Sequence, residues 1–323
     1  AALGESDDKS VHWKDSNDFF YYPGIPLALP IQNQTYMEMP AMASGNSYTS
    51  SPGVNDWYDT IKLNYCDTHT ETWEKMYDIV NFWAGQGVDG FRCDMVELVP
   101  PAFFKWLISR IKKDRPDLLF VAEVYQKTLY SKYIREIDFD LLYDKSGIYD
   151  TLRAIVEKNA KDSGVPVEDW QSAKRITWNW QSLGDLQPYM LNFLENHDEQ
   201  RFASDFFGCD ARNSYAALYT ALYLNNAPFM LYAGEEVGER GMDNEGFSGR
   251  DGRTSIFDWW APSSLTRLYK YIHGEKEALA PEEETMLDTY RKALKFAAED
   301  NAVSKGTFYD LCYCNYASDG FNP

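Results

Sequence analysis

The sequence predicts an α/β fold built on a parallel sheet with helices outside it. Two observations carry this expectation. From about residue 70 onward, short apolar strands alternate with helix-length segments, and strands joined through crossover helices form parallel sheets. Three of those strands also finish in acid, at Asp94, Glu123 and Asp198, where parallel α/β folds gather their chemistry. Five strands are predicted, at 88–94, 118–123, 138–143, 190–195 and 228–233. By count alone they suit a doubly wound open sheet, since an eight-stranded barrel needs three more. The charged strand ends favour the barrel.

Residues 1–64 carry no long periodic segment. Stretches such as YYPGIPLALP and SGNSYTSSPG predict irregular, loop-rich structure with a few short strands. ETWEKMYDIVNFWAGQG has helical spacing through Trp73, Met76, Tyr77, Val80 and Trp83 and stops at glycine. The strand GVDGFRCD follows, then a helix opened by prolines, PAFFKWLISRIKK. LLFVAEVY is a strand, LYSKYIREI a helix, FDLLYD a short strand and YDTLRAIVEKNA a helix. After an unassigned stretch around WNWQS come the strand MLNFLENHD, the helix ARNSYAALYTALYLNN and the strand PFMLYAGEE. A long glycine-rich loop reaches IFDWW, EEETMLDTYRKALKFAAED is the last long helix, and FYDLCYCNY has β character.

Composition excludes more than it names. The 323 residues carry 50 acidic against 31 basic side chains, a formal charge of −19. Such a chain repels nucleic-acid backbones and anionic lipid heads. No run of about 18 apolar residues appears that could span a membrane. The start, AALGESDDKS, lacks signal-peptide layout and an initiator methionine, so the true start is expected to have been removed, and no compartment is indicated. The five cysteines, Cys66, Cys93, Cys209, Cys312 and Cys314, form no CxxC pair and read as packed free thiols.

On the strand ending GFRCD, period-2 geometry puts Arg92 and Asp94 on one face. Leu119, Val121 and Glu123 share a face of the next strand. Carboxylates meeting at one rim suit a metal site, a structural charge network, or acid–base chemistry on a neutral substrate. Paired Asp and Glu are what glycosidic cleavage requires: one attacks or stabilises the sugar carbon and the other protonates the leaving oxygen. Their pKa values must be driven apart. Arg92 is expected to keep Asp94 ionised, while Glu123, among apolar neighbours, rises and becomes the proton donor. Taken alone, Arg92 with Asp94 reads as a structural ion pair and Glu123 as a helix-start acid. His197-Asp198 has the form of a phosphohydrolase HD dyad, but His12, His69 and His273 stand in no partner motif.

GFRCD, VAEVY and FLENHD, in that order, resemble three regions of the alpha-amylase family of glycoside hydrolases (family 13). KLNY at 62–65, PFMLYAGEEVGE and GFSGRDGRTSIFDW resemble further segments of that family. The resemblance implies a (β/α)8 TIM barrel, of which the five strands would be strands 4 to 8. It also implies a β-rich insertion remnant over 1–60, the catalytic barrel portion over 61–304 and the opening of a C-terminal β-domain over 305–323. It makes Asp94 the nucleophile and Glu123 the acid/base, with Asp198 gripping sugar hydroxyls and Arg92 and His197 assisting. Tyr125, two residues past the acid, is the best placed of the aromatics Trp57, Tyr58, Trp178 and Trp180 for stacking on a sugar ring. Glu97-Leu98 stands where many members carry Lys-His, whose His helps bind calcium through its backbone. Substrate contacts at Glu97 must therefore differ, and calcium has little support. No cofactor is required and no metal ligand is assigned.

The family's aspartate and Asn-His pair at barrel strand 3 have no counterpart upstream of Asp94, which implies that an N-terminal barrel segment precedes this chain. The expected activity is a retaining α-glycosidase acting on α-1,4 bonds of starch-like or maltooligosaccharide substrates. The alternatives are an α-glucan transglycosylase or trehalose-forming isomerase of the same family, and an inactive fragment or sugar-binding homologue.

Overall fold

In the computed structural model, residues 2–66, 68–159, 173–243, 249–254 and 261–315 are described. The expectations for residues 316–323, and for parts of the GFSGRDGRTSIFDW loop including IFDWW, fall outside that set. The chain divides into two compact units, residues 1–123 with 132–140, and residues 124–131 with 141–323.

In the first unit, residues 2–66 are mostly irregular, with two-residue strands β1 (Tyr21–Tyr22) and β2 (Ala41–Met42) paired antiparallel. Buried polar side chains organise this region in place of long ladders. Asn64, from the KLNY segment, donates to the carbonyls of Asn17 at 2.7 Å and Lys14 at 3.1 Å. Its own carbonyl accepts from Thr70 Oγ1 at 2.8 Å. Asp18 takes Lys75 Nζ at 2.6 Å and Thr72 Oγ1 at 3.1 Å, which fastens the irregular region to the start of helix α1 (Glu71–Gly85). Glu71 and Glu74 in the first turn suit the helix dipole, and Gly87, at φ 94°, turns the chain out.

Strand β3 (Gly90–Cys93) follows, then helix α2 (Pro101–Asp114) and strand β4 (Leu119–Ala122). Phe103, Phe104, Leu107, Ile108 and Ile111 recur at helical spacing and form the buried face of α2. Phe103 and Trp106 also meet Trp73 of α1, with ring centroids 5.5 and 5.6 Å apart. β3 and β4 run parallel, with Arg92 opposite Val121 and Cys93 opposite Ala122. A Cβ on Gly90 would lie 2.5 Å from the Leu119 carbonyl oxygen, so the close approach of the strands requires glycine there. Phe82 and Trp83 of α1 remain about half exposed, at 57% and 51%.

Helix α3 (Tyr130–Arg135) leads on to strand β5 (Leu141–Tyr143). In the second unit, a π-helical turn at Lys145–Tyr149 runs into helix α4 (Asp150–Asn159). Helix α5 (Lys174–Leu183), strand β6 (Met190–Phe193), helix α6 (Ser214–Tyr223) and strand β7 (Phe229–Met230) follow. Helices α7 (Ser263–Ile272), α8 (Pro281–Glu299) and α9 (Asn301–Ser304) complete the unit. β5 and β6 are parallel, as are β6 and β7, with Phe193 opposite Met230. Tyr149 stacks on Phe193 at 5.1 Å, and Leu218, Ala221, Met286 and Tyr290 are buried from α6 and α8.

The structure adds two helices to the sequence reading and overturns one expectation. The unassigned WNWQS stretch is helix α5. Helix α7 follows the glycine-rich loop, opened by Pro262 and Ser263. The β character of FYDLCYCNY is not realised among the described residues: 307–312 are irregular and Tyr313–Asn315 form a 3-10 turn. A strand forms only where a neighbour completes its ladder, and no strand pairs with this segment among the described residues.

Candidate active site

Asp94 and Glu123 lie one residue beyond the ends of β3 and β4. The parallel register sets Arg92 beside Val121, so the guanidinium reaches past its own strand. Arg92 Nη1 pairs with Asp94 Oδ1, and Nη2 stands 2.9 Å from Glu123 Oε1. The arginine therefore serves both acids, not Asp94 alone. Glu123, expected among apolar neighbours, thus has a cationic neighbour as well. Sequence spacing locates a side chain along its own strand but says nothing of the strand beside it. The three side chains differ in exposure: Glu123 is 3% exposed, Arg92 24% and Asp94 72%.

Glu123 has a second fixed donor. The Met95 amide gives a 2.8 Å hydrogen bond to Glu123 Oε2, and the Glu123 amide bonds the Cys93 carbonyl at 3.1 Å. Met95 reaches this position by adopting a left-handed conformation, φ 42°. Non-glycine residues rarely do so outside strained functional turns. A 3-10 turn, Val96–Leu98, follows and carries Glu97. It is tied down by Tyr133, whose hydroxyl donates to the Val96 carbonyl at 3.1 Å. Burial, with the charge of Glu97 added, raises the Tyr133 phenol above its ordinary value. Burial also pushes the Cys93 thiol up to about 12, so it stays a neutral packed side chain beneath the acids. Leu98 and Pro100, on the same segment, line a cavity of about 460 Å³ together with Phe20, Tyr48 and Tyr65.

His197, Asp198 and Tyr125 belong to the second unit. Beyond β6, Asn196 Oδ1 accepts from the Asp198 and Glu199 amides, both at 2.9 Å. His197 Nε2 lies 3.1 Å from Asp198 Oδ2. Tyr125 and Trp178 are exposed, at 37% and 55%, whereas Trp180 packs edge-on against Phe308 at 5.6 Å.

Sequence reasoning overlooked a buried charged cluster on the segment that carries Asp198. Arg201, among the largest fully buried side chains, pairs with buried Glu195 at 2.8 Å. It also donates to Thr254 Oγ1 and the Ala233 carbonyl, both at 2.9 Å, and lies over the Tyr232 ring at 4.0 Å. Glu235, after β7, accepts from Tyr290 of α8 at 2.9 Å. Burial raises Glu195 despite Arg201, and it raises Glu235 further, helped by the charge of Glu195. The acid-rich runs FLENHDEQR and AGEEVGER were the available signal. Among the described residues no group of three His, Cys, Asp or Glu side chains is arranged to hold a metal ion.

The family model for the alpha-amylase catalytic domain matches residues 56–307. Neopullulanase 2 of Thermoactinomyces vulgaris is 26% identical over 171 residues, 53% of this chain and 28% of its own length. Alpha-amylase MalA of Haloarcula japonica is 30% identical over 193 residues, 59% of this chain and 26% of its own length. An alpha-1,4-glucan:maltose-1-phosphate maltosyltransferase of Methylacidiphilum infernorum is 44% identical over 137 residues, 39% of this chain and 20% of its own length. Among solved structures, the debranching enzyme of Nostoc punctiforme aligns at a TM-score of 0.59 and 20% identity, covering 90% of this chain and 53% of that one. The cyclic alpha-maltosyl-(1→6)-maltose hydrolase of Arthrobacter globiformis aligns at 0.57 and 17%, covering 87% and 53%. The chain thus spans about a quarter of the length of the first two curated relatives and about half of the solved chains. Its fold class is α/β, part of a (β/α)8 barrel, and the chain belongs to the alpha-amylase family through the catalytic domain.

Proposed function

We propose that this chain carries the reacting acids of a retaining α-glycosidase that cleaves α-1,4-glucosidic bonds in starch-like or maltooligosaccharide substrates. The observation that carries the proposal is the single guanidinium of Arg92 joined to both Asp94 and Glu123. One head group shared by two carboxylates suits the short separation of a retaining pair, about 5–5.5 Å, better than the wider inverting spacing of about 6.5–9.5 Å. Exposed Asp94 attacks the anomeric carbon, and its C–O bond forms as the glycosidic C–O bond breaks. Glu123 gives its proton to the departing oxygen. In the second half a water, or a sugar hydroxyl, loses a proton to Glu123 and displaces Asp94. Asp198, with His197 on its carboxylate, holds sugar hydroxyls as positive charge develops. Glu97 and Tyr125 supply flanking contacts.

Transfer in place of hydrolysis is the second proposal, favoured by the 44% identity to a maltosyltransferase over 137 residues. The cavity beneath Leu98 offers room for an acceptor. Among the described residues β3 pairs with β4 alone, and this with the half-exposed Phe82 and Trp83 of α1 supports a further proposal, that additional barrel strands pack there and complete the site.

Incubating the complete gene product with maltopentaose tests these readings. Glucose and maltose as products mark hydrolysis, and chains longer than the substrate mark transfer. Glu123→Gln is expected to lower turnover about 10²–10⁴-fold, and Asp94→Asn at least as far. Wild-type-like rates in either variant would refute the assigned roles. Absence of turnover in the wild-type protein would favour a sugar-binding homologue.

A further inference from the structure

The residue after Asp198 is gripped by three donors. Glu199 Oε1 is 3.1 Å from Lys145 Nζ, and its Oε2 accepts from Tyr149 at 3.0 Å and from Arg153 Nη1 at 3.3 Å. Its side chain is 18% exposed, whereas that of Asp198 is 42% exposed. All three donors come from one place, the π-helical turn after β5 and the first turn of α4.

That turn is itself built to a fixed shape. The Asp144 side chain caps it, Oδ2 accepting the Ile148 amide at 2.9 Å. Asn179 of α5 donates to the same oxygen at 3.4 Å, and Asn179 Oδ1 accepts from Lys127 at 2.9 Å. Tyr149 is locked by its stacking on Phe193 of β6. Lys145 is held a second time by Asp150 at 2.8 Å, and Arg153 by Glu157 at 2.6 Å. π-turns of this kind recur at functional sites.

We infer that Glu199 is a positioning residue: the Lys145–Tyr149–Arg153 cradle grips its carboxylate and thereby fixes the backbone from which His197 and Asp198 project. With Asn196 holding the amides of Asp198 and Glu199 from the other side, the segment is pinned at both ends. An exposed carboxylate cannot be aimed by its own packing, and a misplacement of about 1 Å in such a group can lower a rate about 10²-fold. The cradle uses no group that the double displacement consumes, so it adds orientation without a chemical step. The inference rests on the proposed role of Asp198.

The test uses the complete protein with Glu199→Ala, Glu199→Gln and Lys145→Arg. With maltopentaose as substrate, Glu199→Ala is expected to lower kcat about 10–100-fold while KM stays within about threefold. Glu199→Gln, which keeps an acceptor for Tyr149, loses less, and Lys145→Arg retains most of the activity. Affinity for a cationic iminosugar that mimics the charged transition state should fall with kcat, while affinity for maltose does not. Should Glu199→Ala fail to fold, Glu199→Gln and Lys145→Arg carry the same comparison. Hydrogen exchange at the Asp198 and Glu199 amides provides a readout that needs no turnover, and Glu199→Ala should speed it. Absence of wild-type turnover would sink the function proposed above and leave exchange to judge the cradle. Unchanged kcat in an active enzyme, or unchanged exchange, would overturn the inference.

Discussion

Arg201→Met measures how strongly the second unit depends on one buried cation. The substitution removes the partner of Glu195 at 2.8 Å and the hydrogen bonds to Thr254 and the Ala233 carbonyl. Taking one member from a buried ion pair costs about 3–5 kcal/mol, because the other charge is left stranded. At about 2–4 °C per kcal/mol for a domain of this size, Tm should fall by about 6–20 °C. The loss should also depend on pH. Glu195 and Glu235 both have carboxyls raised by burial, so the folded chain binds more protons than the unfolded chain. The stability these groups contribute is complete below the ordinary carboxylate pKa and is lost as pH rises through the folded values. Without Arg201 the stranded carboxylates prefer their protons still more. The deficit should therefore be largest at neutral and alkaline pH and shrink towards about pH 5. The assay is thermal unfolding followed by circular dichroism between about pH 5 and 8. A second variant, Arg201→Met with Glu195→Leu, should recover most of the loss, since an apolar pair can replace a buried ion pair. A deficit below about 1 kcal/mol, or one flat across this pH range, would refute the reasoning.

Two further outcomes are expected. Burial raises the Asp144 carboxyl above its ordinary range, so its contribution to stability is complete in acid and declines as pH rises through the folded value. Asp144→Asn keeps an oxygen for the Ile148 amide and should match or exceed wild-type Tm at pH 8, the difference vanishing near pH 4. A lower Tm at pH 8 would count against the assigned direction. Gly147→Ala would put a Cβ 1.7 Å from Asp144 Oδ1. It should destabilise the protein by on the order of 2–3 kcal/mol in urea unfolding and lower turnover together with Glu199→Ala. A silent Gly147→Ala would show that the turn tolerates another shape.

How much of this was legible depended on whether a feature was local. Strands, crossover helices and the acids at strand ends follow from short apolar runs and the residues that stop them, and β3 to β7 all lie within the predicted spans. Helices α5 and α7 escaped because their patterns are weak. α5 exposes Trp178 and buries Thr177 and Asn179. In α7 the one fully buried residue is Ser264. The second partner of Arg92 escaped for another reason: it depends on the register between β3 and β4, which no single segment encodes. The left-handed Met95 is likewise set by Glu123, 28 residues away. The segment after Asp198 shows the same limit, since DEQ reads as an ordinary solvated run until Lys145 and Arg153 are placed beside it.

The two groups of acids share a pattern that explains why the neighbours matter. Asp94 and Asp198 are the exposed members, at 72% and 42%, as the proposed substrate contacts require. Exposure deprives them of the packing that usually fixes a rotamer, so orientation has to come from adjoining positions. Beside Asp94, Arg92 below and Met95 above are both tied to Glu123, which is itself almost fully buried. Beside Asp198, Asn196 and Glu199 do the same work from either side. In each case the exposed carboxylate is flanked within two residues by a group whose own partner lies on another element, Arg92 and Met95 on Glu123 and Glu199 on the turn at Lys145–Tyr149. Substitutions that disturb catalysis should then cluster at these flanking positions, and swaps that preserve hydrogen bonding there should be tolerated better than truncations. Intact acids alone would be an incomplete guide to retained activity, because a carboxylate on an unpinned segment keeps its charge and loses its aim.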